Sequence, residues 1–178
     1  MKTLCWVLGL LLCGCQSVHY ETDKGYVSSS LTINRWGTEP LEAMIGAAHI
    51  ATEDVLVGPF NYDLGAGPVV VVPTDGKGMA LGIDTSVKFL YTTFPVQPYL
   101  ELGAGFLDAP ERWEGQGTNW GFILQGGLGL RYAITKDSKL GISYKQWHES
   151  NGAAIFGSPG PNPGFEGGSL WLSYAFEF

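Results

Sequence analysis

The chain is poor in charge. Only 15% of its 178 residues are Asp, Glu, Lys or Arg, against 45% hydrophobic, a proportion low for a soluble globule. It also lacks cysteine beyond its first fifteen residues, where Cys5, Cys13 and Cys15 all lie. That excludes a disulfide framework or a thiolate metal site in the body of the protein. After the same early segment there is no apolar run near the ~20 residues that a membrane-spanning helix needs. With a formal net charge of −7, the cationic stripe that phosphate backbones require is missing, which argues against a nucleic-acid partner. No nucleotide-binding loop and no cluster of metal ligands occurs in the sequence, so no cofactor is expected.

Glycine, at 26 residues, and aromatics, at 13%, are abundant. Together they suit short, closely packed strands better than helices. The length is that of one domain.

The cysteines mark a leader. Lys2 gives a positive start, Leu4 to Leu12 form an apolar run, and Leu12-Cys13-Gly14-Cys15 follows. This resembles a lipoprotein signal, cleaved before Cys15 with acylation of its thiol; ordinary signal-peptide cleavage nearby is the alternative. Gln16, in place of Asp, fits onward transport to the outer membrane. The expected organisation is a signal peptide over 1–14 and a single barrel domain over 15–178.

The remainder alternates with period two. At the C-terminus Leu170, Leu172, Tyr174, Phe176 and Phe178 share one face, and Ser169, Trp171, Ser173, Ala175 and Glu177 the other. The same alternation recurs in 138–148, 119–132, 96–107 and 79–91, each with one apolar face and one face of glycine and polar groups. A soluble barrel would turn its apolar face inward and carry long charged side chains outside. Here the polar faces hold few such residues, so the inverted arrangement is expected, apolar toward lipid and small or polar within. Glu101, Arg131, Asp84 and Lys88 then form an interior charge network, structural in role. Tyr26–Trp36, about Glu42–Ile50 and about Val55–Val72 complete a count of about eight. The fold class is thus all-β, an eight-stranded antiparallel transmembrane β-barrel whose interior is filled by side chains, leaving no pore. Short connections at Thr92–Pro95 and Thr135–Asp137 are expected at the periplasmic end, and long ones at Asp108–Thr118 and Asn151–Phe165 outside.

One constellation carries chemistry. His148 and Ser150 are two apart on a strand and leave the same face, which is that of Leu140, Ile142 and Tyr144. Glu166 shares the parity of Leu170 to Phe178. Polar groups on a hydrocarbon-facing wall are costly unless they act. Serine, histidine and a carboxylate are the components of an acyl-transfer triad. Taken alone, His-x-Ser is a weak signal, and Ser150-Asn151-Gly152 is also ordinary turn chemistry.

The residues His148-Glu149-Ser150-Asn151, then Asn162-Pro163-Gly164-Phe165-Glu166 and a final strand ending in Phe178, resemble the lipid A 3-O-deacylase (acyloxyacyl hydrolase-like) family. Phe94-Pro95-Val96-Gln97-Pro98-Tyr99 and the residues after it look like a central strand of that family. The resemblance is good over the C-terminal half and poor over the N-terminal third. It implies an outer-membrane serine esterase that removes an ester-linked acyl chain of lipid A, modifying lipopolysaccharide. Ser150 would be the nucleophile, His148 the general base and Glu166 the orienting acid, with Asn151 helping to stabilise the oxyanion. Partners would be lipid A and outer-membrane lipids; a homodimer is left open. The chain departs from the family pattern in Glu149 and in an apparent insertion at Gly157-Ser158-Pro159-Gly160-Pro161. The sequence leaves open a non-catalytic barrel, adhesin or structural, and a phospholipase or acyltransferase using the same wall.

Overall fold

A computed structural model describes residues 25–37, 43–73, 78–109, 119–151 and 165–177, of which 25–37, 165 and 166 are described in backbone only. The leader with Cys15, most of the last long connection, including Asn162-Pro163-Gly164, and Phe178 lie outside the described residues. Eight strands follow one another: β1 (Gly25–Gly37), β2 (Ala43–Val57), β3 (Phe60–Pro73), β4 (Ala80–Tyr91), β5 (Val96–Asp108), β6 (Trp120–Ala133), β7 (Ser138–Ser150) and β8 (Phe165–Glu177). Each pairs antiparallel with its sequence neighbour. β8 returns to β1, so the sheet closes into a barrel.

Closure satisfies every strand edge, as a spanning sheet must in a medium without water. The outer wall is apolar. Ile83 and Leu128 are each 67% exposed and Leu172 is 62% exposed, the reverse of a soluble barrel. Inside lie the polar residues, and glycine makes room for them. A Cβ at Gly127 would stand 2.8 Å from the Lys145 Cα and 2.9 Å from its Cγ, and one at Gly103 would stand 2.8 Å from the Gln125 Nε2.

The expected strand over Val55–Val72 is corrected by the structure. Residues 55–57 belong to β2, and β3 begins at Phe60. Between them Gly58 takes a positive φ of 55°, a conformation glycine adopts without the Cβ penalty, and Pro59 cannot donate to the ladder. The carbonyl of Pro59 accepts from the Thr92 backbone N–H at 2.9 Å and from its hydroxyl at 3.0 Å. Two of the short turns are thereby tied together.

Interior charges form separate groups. Near the short turns the Arg131 guanidinium donates to both Glu53 oxygens at 2.9 and 3.1 Å and to Gln97. Lys139 bridges Glu53 at 3.2 Å and Glu177 at 2.6 Å. At mid-height Lys145 donates to Glu101 at 2.6 Å, 4.3 Å from the centre of the Trp171 ring, and Lys88 faces Asp63 at 3.6 Å. Higher, the Asp84 carboxylate takes His49 at 2.6 Å and the Gln125 amide at 2.8 Å. Glu101, Arg131, Asp84 and Lys88 are thus interior, as their parity implies, but each pairs with a residue other than these four. Toward the long connections Ile45, Val69, Val71, Leu107, Ile123 and Trp147 fill the lumen with apolar bulk.

Candidate active site on the outer wall

β7 sets the site. Its outward residues Leu140, Ile142 and Tyr144 are between 43% and 50% exposed, whereas Ser143, Lys145, Trp147 and Glu149 are buried in the lumen. The Lys145–Glu101 and Lys139–Glu177 ion pairs fix which face looks inward. A one-residue slip would reverse every side chain. With that face fixed, His148 and Ser150 must leave the outer one, and both are half-buried there.

Register brings in the third residue. His148 stands directly opposite Glu166 on β8. Opposed residues of an antiparallel pair share a face of the sheet. On the other flank Leu124 and Phe122 of β6 stand opposite His148 and Ser150. The three expected site residues are therefore contiguous on the lipid-facing wall, at the end of the barrel that carries the long connections. Glu149 turns inward against Gly121, where a Cβ would stand 3.0 Å from its Cδ. Asn151, next to Ser150, is fully buried.

An aromatic group beside the serine was not singled out in the sequence. Phe122 packs on Trp120 and on Phe106 at 5.7 Å each, and Phe106 stacks on Trp120 at 6.3 Å. Its signal was the outward parity of these residues, invisible as a cluster until β5 and β6 were placed in register. Aromatic side chains are enriched where membrane proteins meet the water interface.

A family model described as lipid A 3-O-deacylase (PagL) matches residues 29–176. The chain belongs to the PagL family. Among solved structures it is similar to the crystal structure of the outer membrane enzyme PagL, with 17% identity, a TM-score of 0.62, and coverage of 83% of this chain and 97% of that one. A de novo designed transmembrane β-barrel matches at 12% identity and TM-score 0.47 over 89% of this chain and 98% of that one. The outer membrane protein OprG from Pseudomonas aeruginosa matches at 10% identity and TM-score 0.43 over 87% of this chain and 96% of that one. A search of curated proteins by sequence finds no match. The protein is thus a bacterial outer-membrane β-barrel of a lipid A deacylase family, and its hydrolase class follows from the PagL match. The family match extends to β1 and β2, where the sequence resemblance was poor.

Proposed function

We propose that the protein is a serine esterase that hydrolyses the ester-linked acyl chain at the 3 position of lipid A. The observation carrying this reading is the His148–Glu166 register with Ser150 two residues further along the same outer face. Ser150 Oγ attacks the ester carbonyl while the His148 imidazole accepts its proton. Glu166 orients the imidazole and stabilises the cation that forms. Asn151 helps to stabilise the oxyanion of the tetrahedral intermediate. Collapse of that intermediate breaks the ester C–O bond; the leaving sugar oxygen takes the proton from His148 and departs as a hydroxyl, and the acyl chain stays on Ser150 as an ester. Water activated by the same imidazole then releases the fatty acid and restores Ser150. The site faces lipid, so the substrate reaches it by lateral diffusion within the outer leaflet.

The leader belongs to the same proposal: residues 1–14 are removed and the Cys15 thiol is acylated. Mass spectrometry of lipid A from cells with and without the protein tests the activity. A species lighter by one ester-linked chain, dependent on the protein, supports it; identical lipid A profiles would count against it.

A further inference from the structure

Glu149 is a carboxylate on the lumen side of the wall that carries the nucleophile. It is 2% exposed and lies on β7 between the outward His148 and Ser150. A carboxylate so buried needs hydrogen-bond donors. Its place on the strand offers two directions. Trp147 lies two residues toward the short turns on the same inward face. Asn151, which is fully buried, lies two residues toward the long connections.

The carboxylate turns toward Asn151. Glu149 stands opposite Ile123 of β6, yet its carboxylate lies over Gly121, two residues nearer the outer end. A Cβ at Gly121 would overlap the Glu149 Oε1, and would stand 3.0 Å from Cδ and 3.3 Å from the Ser150 carbonyl oxygen. Only glycine leaves this niche open, and the niche lies beside the Ser150–Asn151 peptide. In the other direction, the buried Trp147 indole nitrogen has no hydrogen-bond partner among the described residues.

Asn151 is where support is needed. The β7 strand ends at Ser150, and its pairings with β6 end at Phe122–Ser150. The ladder that fixes the nucleophile therefore stops one residue short of Asn151. A side-chain amide has two N–H donors, so one can meet a buried carboxylate while the other serves an oxyanion. We propose that Glu149 is a positioning residue whose carboxylate accepts a hydrogen bond from the Asn151 side-chain amide and holds that group for the transition state. The proposal rests on the deacylase reading above.

The test assays the full-length barrel on lipid A in detergent micelles. Glu149→Ala should lower kcat about tenfold, less than the ~10²-fold expected of Asn151→Ala, with KM unchanged, because the contact serves the transition state. Glu149→Gln keeps a carbonyl acceptor and should recover most of the rate. Gly121→Ala, which closes the niche, should lose as much as Glu149→Ala. With Asn151 already alanine, Glu149→Ala should cost less than about twofold more, as for residues that act through one another. Heat-modifiable gel mobility shows that each variant is folded, and Glu149→Ala decides if Gly121→Ala does not assemble. A folded Glu149→Ala with unchanged kcat, a loss confined to KM, or the same fold-loss in the Asn151→Ala background overturns this inference alone. A folded wild type inactive on lipid A overturns the functional reading and the inference together.

Discussion

His148 of β7 stands opposite Glu166 of β8, the two joined as neighbours across one rung of the barrel wall. The segment between them, 151–164, is a long connection, yet the rung is set by the strands below it. Eleven further pairings of β7 with β8 reinforce that register, from Glu149–Phe165 to Ser138–Phe176. The candidate site is thus set on paired strands rather than on the connection above them.

The interior that fixes β7 should be thermodynamically visible. Lys145→Met would leave the buried Glu101 carboxylate without its 2.6 Å partner. Removing one member of a buried pair costs about 3–5 kcal/mol. The double variant Lys145→Met with Glu101→Leu should recover most of that loss. Urea unfolding in lipid vesicles measures both; a single variant as stable as the wild type would contradict the account of β7.

Phe178 continues in sequence the outward parity of Leu170, Leu172, Tyr174 and Phe176, and membrane assembly should depend on that apolar face. Deleting Phe178 should reduce the heat-modifiable, folded form in outer membranes. Full assembly of the truncated chain would show that the terminal residue carries no assembly signal.

Acylation of the leader is tested by Cys15→Ser. The variant should lose labelling by a palmitate analogue while the barrel still inserts. A wild-type protein that takes no label, with its mature N-terminus elsewhere, would overturn the lipoprotein reading.

Much of this was legible in residue order, and what was not has physical causes. Alternation from Leu140 to Tyr144 gave the outward parity of His148 and Ser150, because a strand has a fixed period of two. The boundary of β2 and β3 was missed because the turn uses only Gly58 and Pro59 between two apolar stretches. Glu53 falls between the expected strands for the same reason, so alternation does not encode its bidentate bond to Arg131, 78 residues away. The His49–Asp84 bond joins two strands that are not neighbours in the barrel; such contacts cross the lumen and depend on stagger, which alternation does not encode.

The proposed roles grade the expected losses. With His148 as the proposed general base, His148→Ala should reduce deacylation to near background, because nothing in its place can accept the serine proton. Glu166→Ala should leave more activity than His148→Ala, since loss of the orienting acid in a triad can leave partial function. Asn151→Ala should lower kcat on the order of 10²-fold if its side chain serves the oxyanion. Initial rates of variants shown to be folded check each; a folded His148→Ala as active as the wild type would contradict His148 as the base.

The most direct test compares purified wild type with folded Ser150→Ala on lipid A in mixed detergent micelles, following the products by mass spectrometry. Wild type should release one ester-linked chain, and Ser150→Ala should release none above background. The double variant of His148→Ala and Ser150→Ala should be no worse than either single one, as for residues acting as a unit. Equal release of the chain by wild type and by folded Ser150→Ala would contradict the serine mechanism.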